Sequence, residues 1–168
     1  MDLHIEHEIA APLATIEAIV LDAALLARLP AYAPAVARAH ERARRVRGDR
    51  VEREAVYAAR FVPAALDGVI PRAWTTWIER TCWDRTTHAA TFSIEPQIPG
   101  ALRRRFACEG RYSLHAVDAA RTRRRIVGAL RVDAPWIGRR VEAALAAVIA
   151  GQFAGEAALI TALAAGAG

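Results

Sequence analysis

The sequence contains no lysine, so arginine occupies all 23 positions that hold either of these two residues. Against 18 acidic residues, they give a formal net charge of +5. Alanine is also very abundant, and an excess of alanine and arginine is typical of a GC-rich coding sequence. A basic surface can attract nucleic acid or lipid head groups. This composition instead favours an ordinary solvated arginine surface, and we expect no nucleic-acid partner.

Cysteine is scarce, and its spacing excludes a common class of metal site. Cys82 and Cys108 form no Cys-x-x-Cys pair and no cluster with histidine, which argues against structural zinc. The sequence also lacks a phosphate-cradling glycine loop, a dinucleotide fingerprint and a serine nucleophile elbow. We therefore expect no metal and no cofactor, and we assign no catalytic residue.

Long uninterrupted apolar runs are absent too. The C-terminal apolar region is broken by charged and polar residues, so we expect no integral membrane segment. The N-terminus has neither the basic nor the apolar part of a signal peptide, which predicts a cytoplasmic protein. The interrupting residues are Arg139, Arg140, Glu142, Gln152 and Glu156.

What the sequence does contain is enough apolar material for one substantial core. Hydrophobic residues make up 54% of the 168 positions, and charged residues make up 24%. A chain of this length can bury a core without disulfides or metals. With no internal repeat and no low-complexity linker, the sequence predicts a single domain over residues 1–168.

Periodicity along the chain predicts mostly β-strands. Alternating apolar residues indicate a strand over 3–9, and helical spacing then indicates two short helices, over 12–20 and 23–29. A further strand begins at Val36 and leads to a hairpin turn at Gly48-Asp49. Residues 64–71 are expected to form a loop or a short helical turn. The remaining predicted strands cover 51–62, 72–82, 86–95, about 102–115, and 123–133.

The last segment has the pattern of one long helix. Asp133 stands just before Pro135, as at the start of a helix. Gly151 and Gly155 should weaken the helix unless they mark a kink or a close contact with the sheet. The predicted apolar face holds Ile137, Val141, Leu145, Val148, Ile149, Phe153, Ala157 and Ile160, and the predicted exposed side holds Arg139, Arg140, Glu142, Gln152 and Glu156.

This order of elements, with the segment Leu130–Glu142, resembles the START-like or SRPBCC helix-grip superfamily, which includes pollen-allergen-like ligand binders. Pro135, Gly138 and Glu142 match positions expected in an uncharacterised bacterial branch of that superfamily. The resemblance implies an α+β fold: a curved antiparallel β-sheet wrapped around a long C-terminal α-helix, with two short helices after the first strand. It also implies a cavity for an apolar ligand, and it transfers no catalytic residue.

The inward strand faces place large aromatic side chains next to small ones, as a ligand cavity requires. An aromatic residue on an inner face is also compatible with an ordinary packed core. A glycine inside a strand, such as Gly110, leaves room for a bend or for a ligand. The expected ligand-binding residues are Tyr57, Phe61, Trp74, His88, Phe92, Arg104, Phe106, Tyr112 and Leu130.

Three functions follow from this interpretation. The first is a non-catalytic binder or carrier of a hydrophobic small molecule or lipid. The second is a cyclase- or dehydratase-type enzyme acting on a polyketide-like substrate, with Arg104, His88 and Tyr112 as its polar groups. The third is an interaction module with a filled core and a basic patch, formed by pairing the arginines of 103–105 with those of 121–125. The sequence leaves the oligomeric state and the ligand's identity open.

Overall fold

The computed structural model describes residues 1–68 and 71–166, and within them seven β-strands and four α-helices. The strands are β1 (Asp2–Ile9), β2 (Val36–Arg47), β3 (Arg50–Ala59), β4 (Thr76–Asp84), β5 (Ala89–Pro96), β6 (Phe106–Asp118) and β7 (Arg121–Val132). The helices are α1 (Leu13–Leu21), α2 (Ala24–Arg28), α3 (Gly100–Arg103) and α4 (Gly138–Ala165). Short 3-10 helices occupy Leu29–Ala31, Ala64–Leu66 and Arg72–Trp74. Residues 69 and 70, within the loop predicted over 64–71, lie outside the described residues.

All seven strands form one antiparallel sheet in the order β1-β7-β6-β5-β4-β3-β2. Every consecutive pair from β2 to β7 is hydrogen-bonded, and β1 joins the far edge by pairing with β7. The predicted hairpin is confirmed, because Gly48 takes a φ of +57° in the two-residue turn between β2 and β3. This curved sheet encloses α4, which confirms the predicted helix-grip architecture.

The core lies between the concave face of the sheet and α4, closed at one side by α1 and α2. Phe153, Leu159 and Ile160 of α4 are almost completely buried against it. The sequence predicts no segment able to span a membrane. By length and composition alone, however, α4 could cross one. In this fold it is instead a core helix, which accounts for its hydrophobicity.

Three predicted strands begin later than their sequence pattern suggests. Trp74 ends a 3-10 turn instead of belonging to β4, and His88 lies in the turn before β5 with a φ of +51°. Arg104 follows α3 and precedes β6, so it is not part of the strand predicted over about 102–115. Residues in such turns do not follow the alternation of a strand, and alternation therefore misplaced these side chains.

The glycines inside β6 and β7 serve packing. Gly110 pairs directly with Gly128, and the Phe92 ring covers both. A Cβ added to Gly110 would stand 2.3 Å from the carbonyl oxygen of Val127 and 2.7 Å from the Phe92 ring. The space that these glycines leave is therefore filled by an aromatic side chain of the core.

Candidate functional site

A large apolar cavity opens between α4 and the end of the sheet where β3 and β6 meet their flanking loops. Its volume is about 260 Å³, and its surface is almost entirely apolar. The strand ends and the N-terminal half of α4 line the cavity, and residues of the segments 61–66, 74–76 and 96–106 complete its wall. This is the concave, apolar type of site that holds small molecules in proteins.

Three of the residues expected to bind ligand line this cavity: Phe61, Trp74 and Phe106. Phe61 follows β3 and is exposed at the rim, whereas Phe106 opens β6 and is half-buried. The 3-10 turn at Arg72–Trp74 turns the Trp74 ring towards the same cavity that Trp77 of β4 lines. That turn brings together two tryptophans that strand alternation would place on opposite faces.

Aromatic and polar side chains lie at the cavity wall and directly behind it, with Tyr57 behind the lining residue Trp77. Tyr57 stacks on Trp77, with ring centroids 5.3 Å apart and planes within 2° of parallel. Gln152 of α4 also lines the cavity and is buried. It lies one helical turn before Glu156, so the apolar cavity is followed by a polar region deeper in the molecule.

That polar region is a cluster of four buried charged side chains on the inner surface: Arg53, Glu79, Arg124 and Glu156. Arg124 forms an ion pair with Glu156 and also lies 5.7 Å from the centre of the Tyr112 ring. Arg53 donates a hydrogen bond of 3.1 Å to the carbonyl oxygen of Val20. A space of about 20 Å³, the size of one water molecule, is lined by three of them: Arg53, Arg124 and Glu156.

Glu79 is the most unusual member of the buried charge cluster. One of its carboxylate oxygens has no hydrogen-bond partner among the described residues. Burial and, after it, the negative charge of Glu156 raise the pKa of Glu79 from 4.5 to about 7. The positive charge of Arg53 and, after it, the hydroxyl group of Tyr112 act in the opposite direction. Near neutral pH, this carboxyl group is able either to give or to take a proton.

The other expected ligand-binding residues lie away from the cavity wall. Phe92 and Tyr112 pack on Phe153 in the core, and Leu130 is fully buried. His88 lies at the opposite end of the sheet, where its Nδ1 is 3.0 Å from a carboxylate oxygen of Glu17. The remaining one, Arg104, is exposed to solvent. Ligand contact by all nine residues stays a prediction.

The predicted basic patch is not formed. β6 and β7 do pair, but their register places Phe106 opposite Val132 and His115 opposite Arg123. The arginines of 103–105 and those of 121–125 therefore lie at opposite ends of the sheet. In addition, Arg121 and Arg123 form ion pairs with acidic residues of β1, and Arg124 is buried.

Sequence reasoning missed the buried charge cluster, although a signal for it was present. Arg53 lies two residues from both Val51 and Ala55, so it shares the inner face of β3 with them. Glu79 lies two residues from Trp77 and shares the inner face of β4 with it. Gln152 and Glu156 were expected on the exposed side of the last helix, and this prediction is wrong because both are buried. On α4 they continue the stripe of Ile149, Phe153 and Ile160 at helical spacing.

Solved structures that share this fold over nearly the whole chain include three whose names describe them. The Zhui aromatase/cyclase from Streptomyces sp. R1128 has a TM-score of 0.66 at 15% identity, covering 98% of this chain and 94% of its own. A START superfamily protein from Mycobacterium smegmatis has a TM-score of 0.56 at 15% identity, covering 99% of both chains. Norcoclaurine synthase from Thalictrum flavum has a TM-score of 0.61 at 16% identity, covering 97% of this chain and 85% of its own.

The chain has the START-like helix-grip fold, and the fold implied by the sequence resemblance is thereby confirmed. More narrowly, the chain belongs to the family described as "Protein of unknown function (DUF2505)", whose model matches residues 4–163. No curated protein sequence matches the chain.

Proposed function

We propose that this protein binds or carries a hydrophobic small molecule or lipid in the cavity between the sheet and α4. The observation that carries the proposal is the cavity itself, which is about 260 Å³ in volume and almost entirely apolar. An apolar cavity of about 150 Å³ is enough to bind benzene. This one therefore suits a ligand about the size of two fused rings, or an acyl chain of comparable volume.

The direct test is native mass spectrometry of the freshly purified protein, followed by solvent extraction of any molecule that co-purifies. We expect a retained apolar mass, whose extraction identifies the chemical class of the ligand. A ligand-free mass from several expression hosts, together with no uptake of fatty acids or polycyclic aromatic compounds, would contradict the proposal.

A cavity-filling variant tests where the ligand binds. Val148 of α4 lines the cavity, so Val148→Trp should fill part of it and weaken binding of the fluorescent probe N-phenyl-1-naphthylamine by at least about tenfold. The matched control is Ala147→Trp, which places the same side chain on the exposed side of α4. Probe titration by fluorescence measures both variants, and equal affinities would show that binding occurs elsewhere.

A second candidate function is a cyclase-type enzyme that uses the same cavity. Arg104, His88 and Tyr112 do not come together, so the arrangement considered from the sequence does not support it. Glu79 lies behind the cavity wall, two residues along β4 from the lining residue Trp77. It favours an enzyme instead, because its pKa of about 7 and its unpartnered oxygen suit proton transfer. If the protein is an enzyme, the molecule bound to the Glu79→Gln variant should differ in mass from the molecule bound to the unmodified protein. Identical masses would favour the carrier function.

We also propose a cytoplasmic location. Cys82 and Cys108 are both free thiols, which suits a reducing compartment. Cys108 is buried, and burial raises the pKa of its thiol to about 12, so it remains an uncharged core side chain. Fractionation of cells that express the protein tests this location, and recovery from a secreted or periplasmic fraction would contradict it.

A further inference from the structure

Trp136 is the most exposed large apolar side chain in the described chain, and its backbone is strained. Its whole side chain faces solvent, and its φ is +69°. That region of backbone conformation is unfavourable for a bulky residue. Two hydrogen bonds hold the turn in place, one of 2.9 Å from the Ile137 amide to the Pro135 carbonyl and one of 2.8 Å from the Gly138 amide to the Ala134 carbonyl. The turn thus fixes an aromatic ring in solvent, which folding alone does not require.

The mouth of the cavity is surrounded by further exposed apolar side chains. Phe61, Leu102 and Ile137 all line the cavity, and all three are exposed. Ile137 follows Trp136 directly, so Trp136 is the neighbour of this rim along the chain. Contiguous exposed apolar side chains around an opening mark a surface that contacts another apolar phase or a partner.

Positive charge accompanies these apolar side chains. The segments 100–106 and 131–142 contain six arginines and only two acidic residues. They are adjacent in space, because the Asp133 amide donates a hydrogen bond of 2.8 Å to the Arg105 carbonyl. Arg103 pairs with Glu95, but no ion pair to a described residue is found for the other five: Arg104, Arg105, Arg131, Arg139 and Arg140.

We propose that this mouth surface, formed by Phe61, Leu102, Trp136 and Ile137 together with Arg104, Arg105, Arg139 and Arg140, docks on an anionic lipid bilayer. Tryptophan is favoured at the membrane interface, where one side of the ring is apolar and the other is hydrated. Arginines around it complement anionic head groups. Docking in this orientation places the cavity mouth against the bilayer, where an apolar ligand can enter or leave without crossing water.

The charge of the mouth surface favours a membrane over a second copy of this chain. A twofold contact brings the same surface of each copy together, so arginines would face arginines. An anionic bilayer instead supplies the opposite charge over the whole surface. The proposal does not depend on an occupied cavity, because Trp136 does not line it.

The test is co-flotation of the full-length protein with vesicles of phosphatidylcholine alone or of equal parts phosphatidylcholine and phosphatidylglycerol. We expect binding to the anionic vesicles only, and loss of that binding at high salt. Arg139→Gln with Arg140→Gln should lower the partition coefficient by about fivefold for each arginine removed. Trp136→Gly should also lower it several-fold without lowering the melting temperature, because glycine readily adopts a positive φ.

Matched controls come from the β2–β3 hairpin at the opposite end of the sheet. Val46→Ala removes apolar surface there, and Arg45→Gln with Arg47→Gln removes two exposed arginines. Both control variants should bind the anionic vesicles as the unmodified protein does. Three outcomes would overturn the proposal. These are an equal loss in the control variants, no preference for anionic vesicles, and a Trp136-dependent dimer in sedimentation analysis with no vesicle binding.

Discussion

At the residue scale, the charged side chains in the interior need explanation, because burying an ion is costly unless it is well paired. Arg124 and Glu156 form a direct ion pair, whereas Arg53 and Glu79 show no ion pair within 4 Å among the described residues. Arg53 and Glu79 each keep one polar atom without a hydrogen-bond partner there. The interior is therefore incompletely satisfied next to the proposed ligand site, and this is the combination seen where function competes with stability.

Glu79 should make stability depend on pH. Because its folded-state pKa is about 7 and lies above the unfolded value of 4.5, its contribution is fully present below pH 4.5 and is lost as pH rises through 7. Glu79→Gln removes this loss. The free energy of unfolding of the variant minus that of the unmodified protein should therefore be about 2–3 kcal/mol larger at pH 8 than at pH 5.

Urea unfolding at the two pH values measures this difference. His7 acts in the opposite direction, since burial and the neighbouring Arg124 lower its pKa. Burial raises the pKa values of Tyr57 and Tyr112 well above 10, and both stay neutral over this range. The contributions of His7, Tyr57 and Tyr112 to stability cancel when the variant is compared with the unmodified protein at each pH. A difference that does not change with pH would show that Glu79 is not buried as described.

At the scale of elements, two of the three glycines of α4, Gly151 and Gly155, have different roles. Gly155 lies against the backbone at 32–33, where an added Cβ would be 2.6 Å from the Tyr32 carbonyl oxygen and 2.8 Å from the Ala33 Cα. Gly151 has no atom within 4 Å of such a Cβ. The close contact of Gly155 is thus with the segment after α2, and Gly151 has no packing role in the described structure.

The two glycines predict opposite effects of one substitution. Gly151→Ala should stabilise the protein by about 0.5–1 kcal/mol, because alanine favours the helix and meets no atoms there. Gly155→Ala should destabilise it by about 1–3 kcal/mol, because the methyl group overlaps backbone atoms that cannot move freely. Urea denaturation of both variants tests the pair, and effects of the same sign would contradict this account of α4.

At the scale of the whole molecule, we propose that residues 1–168 fold as one domain. β1 pairs with β7, and α4 packs on both strands, so the two ends of the chain share one core. Unfolding should therefore be a single cooperative transition in calorimetry, with equal calorimetric and van't Hoff enthalpies. Two separable transitions would show that the chain contains more than one cooperative unit.

Much of the architecture could be predicted from local sequence patterns. Alternation identified β1, the hairpin at Gly48 was recognisable from its turn residues, and helical spacing identified α4. These features follow from backbone geometry over a few residues, so the sequence contains them directly. Phe61, Trp74 and Phe106 were likewise expected near a cavity, and the structure places all three on its wall.

Local patterns specify the strand and helix periods, the order of elements and the apolar material for one core. The tertiary structure is needed to bring Glu79, Arg53, Arg124 and Glu156 together in the interior, because their proximity depends on register between strands far apart in sequence. It also decided that the two arginine clusters separate and that Trp136 stands exposed beside the cavity mouth. These outcomes depend on packing between distant segments, which no local pattern encodes.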